Sequence, residues 1–178
     1  MTGEFSEFSL IAEFFTLLAT PPGAFGLKDD AAILAHRPGQ DLVVSTDTVI
    51  EGVDFLPGDP PDLIARKALR VNLSDLAAKG AAPDSYLLNL SLHASIDRDW
   101  LQAFARGLAQ DQKEFGVGLL GGDTGRTPGP LTISITAFGH VPQGAMIRRQ
   151  GARIGDGIFV TGGIGDSGGG LAILRGEG

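Results

Sequence analysis

Hydrophobic and polar positions along the chain predict that strands and helices alternate. Two long segments carry apolar residues at three- and four-residue spacings, which is typical of amphipathic helices. One begins at Asp62 and ends near Lys79, and the other is capped by Asp97 and ends before Gly116. A shorter segment, residues 6–18, has the same spacing before Pro21. Apolar or alternating runs predict strands at residues 31–35, 42–44, 86–92, 117–120 and 131–141.

This element order predicts an α/β fold, specifically an α+β two-layer sandwich with a mixed sheet and helices on one face. Residues 31–35 and 42–44 are expected to form a hairpin across Pro38 and Gly39. A glycine- and arginine-rich stretch at 144–157 indicates a boundary between domains 1–145 and 146–178. A strand at 158–161 and a helix opening at Gly162 are too little to bury a core, so 146–178 is interpreted as a linker and the start of a truncated second domain.

Four aspartates follow apolar runs and lie among small residues: Asp30, Asp47, Asp75 and Asp123. We expect them to converge in one cleft at the ends of strands. Carboxylates held that close repel one another unless cations lie between them, and Mg²⁺ prefers ligands that are all oxygen. The pattern therefore predicts a magnesium site, although each aspartate taken alone also fits a strand end, a turn or a helix surface.

Arginines and glycines beyond the long strand offer further candidate chemistry. Arg148 and Arg149 are either surface residues or a clamp for phosphate, which the planar guanidinium suits. Gly163, Gly165 and Gly168 match GxGxxG, but no strand bearing a ribose-binding acid follows within the sequence, so a tight turn is the better interpretation. The three histidines are scattered and predict no catalytic triad, and no GxxxxGK[ST] motif occurs.

Charge and composition narrow the classes of function. The net charge is -7 and no basic cluster occurs, which argues against nucleic-acid or membrane-surface binding. The first residues lack the basic region of a signal peptide, and no apolar run approaches the length of a membrane span. With no cysteine, neither a disulfide nor a thiol nucleophile is available. We therefore expect a cytoplasmic location.

Five motifs, taken in order, resemble a known family. They are STDTVIEGVDF from Ser45, KALRVNLSDLAAKGA from Lys67, LLGGDTGR from Leu119, RQGARIGD from Arg149 and VTGGIGDSGGG from Val160. Together they resemble thiamine-monophosphate kinases, of the aminoimidazole-ribonucleotide synthetase-like superfamily. The resemblance spans essentially the whole chain but only about the amino-terminal half of the family's usual length.

The resemblance implies an enzyme that uses ATP and Mg²⁺ to convert thiamine monophosphate to thiamine diphosphate. It implies that Asp54 contacts the thiamine phosphate, and that Asp47 and Asp123 are catalytic. It implies that Gly122, Asp123 and Arg149 contact ATP. The implied metal ligands are Asp30, Ser45, Thr46, Asp47, Asp75 and Asp123.

Family members are homodimers in which the sheets of two subunits close into a central barrel. We expect such pairing to cover strand 131–141, which would otherwise be an exposed edge. Three alternatives remain open. Two are other ATP-dependent synthetases of the superfamily, a cyclo-ligase or a selenophosphate synthetase, although the latter usually needs an early cysteine or selenocysteine. The third is a non-catalytic dimerisation or metal-binding module.

Overall fold

A computed structural model describes residues 6–177 of the chain. The chain divides into two compact units, Met1–Ile147 and Arg148–Gly178, which are described separately. The domains expected at 1–145 and 146–178 remain a prediction, because compactness alone does not define a functional domain. No helix within residues 6–177 is long and apolar enough to cross a membrane.

The first unit is built on a four-stranded mixed sheet. Its strands are β1 (Gln40–Ile50), β2 (Ala82–Leu92), β3 (Gly118–Arg126) and β4 (Thr132–Pro142). Their order is β1-β4-β2-β3, with β4 antiparallel to both neighbours and β2 parallel to β3. The helices of this unit are α1 (Glu7–Leu10), α2 (Pro61–Ala78) and α3 (Arg98–Phe115). The predicted α/β fold with a mixed sheet is confirmed.

The region before β1 is helical but irregular. A π-helix, Ile11–Phe15, and a 3₁₀ turn, Thr16–Leu18, continue directly from α1. A second 3₁₀ segment, Pro22–Leu27, follows after a short break. The helix predicted at 6–18 is therefore present, although its hydrogen bonding changes twice along its length.

The core lies between the sheet and helices α2 and α3. Leu131, just before β4, and Ile133, Ile135 and Ala137 on it alternate with polar residues and are almost completely buried. They pack in one cluster with Leu69 of α2 and with Phe104 and Leu108 of α3, the apolar side chains that the helical spacing brings to one side. We call the side of the sheet under α2 the covered face and the opposite side the open face.

A buried ionic contact joins α2 to α3. Asp111 is fully buried, and its two carboxylate oxygens accept hydrogen bonds of 2.8 Å from Arg70 Nε and Nη2. Arg66 Nε donates to the same carboxylate at 3.2 Å. The hydrogen bond to Asp111 raises the pKa of Arg70 above its usual value. Asp111 is thus a buried charge that is paired on both oxygens, which is the condition for retaining it in a core.

Several expectations about elements are wrong. Residues 31–35 form no strand, so there is no hairpin with β1; instead Ile33 N donates to the carbonyl of Gly23. Strand β4 is internal, and β1 and β3 are the edges. Residues 42–44 do not form a wholly buried strand, since Leu42 and Val44 are about half exposed and only Val43 is buried. On α2, the helical spacing predicts a polar face of Ala68, Asn72, Asp75 and Lys79, but Asn72 is fully buried.

The described part of the second unit, residues 148–177, contains one helix, α4, at Asp166–Leu174. The strand predicted at 158–161 is absent, since these residues have no regular hydrogen-bonded structure. Ile158 and Phe159 are exposed rather than packed into a core. The helix predicted from Gly162 is confirmed but begins four residues later.

Candidate functional site

A cavity of about 760 Å³ lies between the amino-terminal helical segment and strands β2 and β3. Asp30, Gly122 and Asp123, three of the residues expected to be functional, contribute to its lining. Asp29, Lys28 and Asn89 add further polar groups. The remainder of the wall is mostly apolar and comes from the segment between Phe8 and Leu27 and from β2 and β3. This size is ordinary for a site that binds a small molecule.

The register of the sheet explains why Asp123 reaches this cavity. Asn89 of β2 pairs with Asp123 of β3 and with Ser134 of β4, and Ser134 in turn pairs with Thr48 of β1. Residues paired across strands point to the same face, and Asn89 is flanked by the core residues Leu88 and Leu90. Asp123 therefore belongs to a polar row that crosses the open face.

Two backbone features shape β3 at this point. The pairing passes from Tyr86–Leu119 to Leu87–Gly121, so Leu120 is an extra residue, a bulge of the kind that redirects side chains near functional sites. Gly122 has a φ of 153°, and a Cβ there would lie 1.8 Å from the carbonyl oxygen of Leu88. Only glycine fits this close approach. The sequence predicted Asp123 at the end of a strand, but it lies inside β3, which continues to Arg126.

A second group of candidates lies where β1 packs on α2. Ser45 Oγ donates a 3.0 Å hydrogen bond to Asp75 Oδ2. Asp47, two residues further along β1, is exposed and points to the same side as Ser45 because side chains alternate along a strand. Thr46 points to the open face, where its hydroxyl donates to the carbonyl of Ile135 at 3.2 Å. We expect the strand to end at Asp47 from sequence, but β1 continues to Ile50.

The four aspartates thus fall into two pairs, one in the cavity and one beside α2. Residues 6–177 contain no group of three or more His, Asp or Glu side chains arranged to hold a metal ion, so no preformed cluster of the four is present and their convergence around a metal ion stays a prediction. The donors at both places are nevertheless oxygens. Mg²⁺ is commonly bound by one or two carboxylates together with water and substrate phosphates. These residues therefore fit a magnesium ion that is coordinated partly by a phosphate ligand, rather than one coordinated by protein side chains alone.

Two further candidates lie outside both groups. Asp54 Oδ2 accepts a 2.8 Å hydrogen bond from Ile50 N, and the Asp54 carbonyl accepts one from Lys67 Nζ. Asp54 thereby closes the turn after β1 and ties it to α2. Arg149 belongs to the second unit, where it and Arg148 are exposed.

The family described as "AIR synthase related protein, N-terminal domain" matches residues 28–141. The chain belongs to this family. The match includes α2, α3, the sheet apart from the last residue of β4, and all of the proposed metal ligands.

Individual relatives agree with this assignment. A thiamine-monophosphate kinase of Caulobacter vibrioides is 47% identical over 173 residues, which are 97% of this chain and 49% of the relative. The crystal structure of thiamine-monophosphate kinase from Stenotrophomonas maltophilia K279a is 42% identical, with a TM-score of 0.77 over 85% of this chain and 47% of that one. AaThiL complexed with AMPPCP and TMP is 31% identical, with a TM-score of 0.74 over 100% of this chain and 55% of that one.

These matches confirm the resemblance to thiamine-monophosphate kinases. They also show that the chain spans about half the length of the curated relatives it matches. It corresponds to their amino-terminal portion.

One histidine, His93, belongs to a polar group away from the cavity. It lies between Ser95 Oγ, 2.8 Å from its Nδ1, and Glu51 Oε2, 3.3 Å from its Nε2. None of these three residues lines the cavity. Glu51 also accepts a 3.4 Å hydrogen bond from Leu131 N, so the group ties the end of β1 to neighbouring loops.

Sequence reasoning missed the amino-terminal contribution to the cavity. Phe8, Ile11 and Phe15 were interpreted only as the apolar stripe of a helix, yet all three line the cavity. It also missed Asn89 beside Asp123. The alternation of polar and apolar residues in 86–92 places Asn89 opposite the core side, and that signal would have identified it.

Proposed function

We propose that the protein to which this chain belongs is a thiamine-monophosphate kinase. It transfers the terminal phosphoryl group of ATP to thiamine monophosphate, giving thiamine diphosphate and ADP. The reaction belongs to thiamine diphosphate biosynthesis, and we place it in the cytoplasm.

The observation that carries the proposal is the cavity shared by Asp30, Gly122 and Asp123. Asp30 and Asp123 are 93 positions apart in sequence, and the fold brings both to one cavity with Gly122. The similarity to AaThiL in complex with AMPPCP and TMP, which extends over the whole chain, supports the same substrates.

The chemistry makes modest demands on the protein. The acceptor is a phosphate oxygen that is largely ionised at pH 7, since the second pKa of a phosphate monoester is about 6. No general base is required, which is consistent with a cavity that contains no histidine. The enzyme must instead bring two polyanions together and hold them in line for transfer.

The roles of individual residues follow from this requirement. Magnesium, when bound, supplies charge neutralisation on the phosphates. Asp30, Asp47, Asp75 and Asp123 hold it, and Ser45 and Thr46 contribute further oxygens. Gly122 and Asp123 bind ATP together with Arg149, and Asp54 contacts thiamine monophosphate. Asp47 and Asp123 are assigned as the catalytic residues because each would hold a magnesium ion that would neutralise charge on the phosphates.

The proposal includes a homodimer in which two sheets pair into a barrel. Strand β1 is an edge of eleven residues, and its open-face side chains Leu42 and Val44 are 47% and 53% exposed. A long edge strand with exposed apolar residues is prone to pair with another chain. A second subunit would cover it.

The test is formation of thiamine diphosphate from thiamine monophosphate, ATP and Mg²⁺ by the purified protein, wild type and Asp123→Asn. We expect turnover to fall about a thousandfold in the variant, because a group that stabilises transition-state charge is lost. Secondary structure should not change, since Asp123 is exposed to the cavity.

The matched control is Asp99→Asn, another exposed aspartate, in the first turn of α3 and outside the cavity. It should retain wild-type turnover. Full activity of Asp123→Asn would refute the role of this residue. ATP hydrolysis by the wild type without formation of any thiamine diphosphate would refute thiamine monophosphate as the phosphoryl acceptor.

A further inference from the structure

Two polar side chains, Glu51 and His93, meet at one end of the sheet. Glu51 follows the last residue of β1, and His93 follows the last residue of β2. Both strands are antiparallel to β4, so they end at the same end of the sheet, where Thr132 of β4 pairs with Ile50 and with Ser91. Because neighbouring strands lie about 4.8 Å apart, β1 and β2 are separated by about 10 Å. The 3.3 Å contact between Glu51 Oε2 and His93 Nε2 therefore bridges two strands across the start of β4.

Each of these two side chains is also held from a second direction. Ser95 Oγ lies 2.8 Å from His93 Nδ1, and this contact orients the imidazole ring with Nε2 toward Glu51. The Glu51 carboxylate accepts a 3.4 Å hydrogen bond from Leu131 N, and Glu51 N donates to the Leu131 carbonyl at 3.0 Å. Both side chains are only 23% exposed. A polar contact that is ordered at both partners and largely shielded from water contributes more than an exposed pair does.

Glu51 opens the turn that carries Asp54, the proposed contact to thiamine monophosphate. Within this turn Gly52 N donates to the Phe55 carbonyl, and Asp54 N donates to the Ile50 carbonyl, each at 2.8 Å. Ile50 N donates to Asp54 Oδ2 at the same distance. The turn, residues 50–55, is therefore a closed unit. Its position relative to the rest of the sheet depends on the contacts made by its first residues.

His93 is connected in the other direction to the strands of the cavity. The carbonyl of Leu92 accepts a 3.0 Å hydrogen bond from Thr127 N, which ties the end of β2 to the end of β3. Asn89 of β2 pairs with Asp123 of β3. The contact between Glu51 and His93 thus links the turn of Asp54 to the two strands that position Asp123. Transfer between two bound phosphates depends on their alignment, and a displacement of about 1 Å can cost about a hundredfold in rate.

We propose that Glu51 and His93 are positioning residues for the acceptor substrate. Their contact fixes the turn 50–55, and with it Asp54, relative to β2 and β3. The inference rests on the proposed function for the identity of the acceptor. Neither Glu51 nor His93 lines the cavity, so binding of ATP does not depend on them.

The test separates the effects on the two substrates. Steady-state kinetics of the purified protein give KM for thiamine monophosphate and for ATP, and isothermal titration in Mg²⁺ gives the Kd of thiamine monophosphate. The variants are Glu51→Ala, His93→Ala and the double variant. We expect each single variant to raise KM and Kd for thiamine monophosphate about tenfold, because Asp54 is displaced, and to leave KM for ATP unchanged. The double variant should bind no worse than either single variant, since all three lack the same contact.

The matched control is Glu114→Ala, which removes another glutamate of an ion pair, with Arg70 near the end of α3. It should leave both KM values unchanged. A variant that is merely less stable has fewer active molecules, so kcat falls while both KM values stay the same, and this result would count against positioning. Equal effects of Glu51→Ala on both substrates, no effect on thiamine monophosphate, or additive losses in the double variant would also overturn the inference.

The same measurements distinguish failure of the inference from failure of the proposed function. A wild type that binds thiamine monophosphate without converting it would contradict the proposed reaction, and the comparison of Kd values would still decide the positioning role. A wild type that binds no thiamine monophosphate would overturn both.

Discussion

The covered and open faces of the sheet differ in what their side chains do. On β4, Ile133, Ile135 and Ala137 are completely buried under the helices. The residues between them, Ser134 and Thr136, point to the open face and are only partly buried. The same strand therefore supports the core with one half of its residues and presents hydroxyl groups with the other half.

The two faces also differ in their hydrogen bonds. On the open face, the hydroxyl oxygens of Thr46 and Thr136 are hydrogen-bonded at 3.0 Å. The hydroxyls of Thr48 and Ser134 are also hydrogen-bonded to each other. On the covered face, contacts between α2, α3 and the sheet are mostly apolar, and the polar contacts include Ser45–Asp75, Gln112–Tyr86 and the pairs around Asp111. We conclude that stability comes mainly from the covered face, which leaves the open face available for ligands and for a second subunit.

The largest stability effect should come from the covered face of β4. Ile135→Ala removes a completely buried side chain and leaves a cavity among well-packed neighbours, at a cost of about 3 kcal/mol in the free energy of unfolding. Urea denaturation followed by circular dichroism measures the change.

The matched variant is Thr136→Ala, the next residue on the same strand. We expect a loss of about 0.5 kcal/mol, because its side chain is partly exposed and only its contact with the Thr46 hydroxyl is lost. Equal losses for the two variants would contradict the division between the faces.

The helices of the covered face were predictable from sequence because their signals are local. Asp97 Oδ1 accepts a 2.8 Å hydrogen bond from Trp100 N at the start of α3, and Gly116 adopts a left-handed conformation with a φ of 67° at its end. Both roles follow from residue type and spacing within one helix. The prediction of α2 rested on the same kind of pattern and ended within one residue of the observed helix.

The arrangement of the site was less predictable, because it depends on distant segments. Residues 31–35 have a strand-like composition, but Ala32 and Leu34 instead pack near Ala24, Leu120 and Phe138. No local pattern distinguishes a strand from the irregular segment that is observed, since both structures bury apolar side chains.

The grouping of the aspartates shows the same limit. Asp30, Asp47, Asp75 and Asp123 were selected from sequence, but their separation into two pairs depends on strand register and on which side of β1 faces α2. A shift of one residue moves a side chain to the other face. Register is set by the whole sheet, including the bulge at Leu120, and is not encoded next to each aspartate.

A smaller effect is expected at the edge of the open face. Val44→Lys places a charge on β1 where the proposed second subunit pairs, and charged edge residues oppose such pairing. We expect self-association to weaken about tenfold, measured by sedimentation equilibrium. Val53→Lys is the matched control, since Val53 is 77% exposed in the turn after β1. A wild-type protein that is monomeric at all concentrations would contradict the proposed dimer.

A further stability effect concerns a polar contact on the covered side. Tyr86 is completely buried, and Gln112 Nε2 donates 3.0 Å hydrogen bonds to its hydroxyl and to the Leu18 carbonyl. Tyr86→Phe should lower the free energy of unfolding by about 1 kcal/mol at neutral pH, because one buried hydrogen bond is lost. Burial raises the pKa of Tyr86 above its usual value of 10.0.

This pKa shift also predicts a dependence on pH. The phenol ionises in the unfolded chain near pH 10 but stays neutral in the folded protein, so its contribution to stability is complete below pH 10 and is lost as the pH rises above it. Denaturation at several pH values should show a steeper decline above pH 10 for the wild type than for Tyr86→Phe. Since the sequence contains one tyrosine, tyrosinate absorbance reports Tyr86 alone. Ionisation of the folded protein at pH 10 would show that the side chain is accessible to solvent, contrary to its burial on β2 against Gln112 of α3.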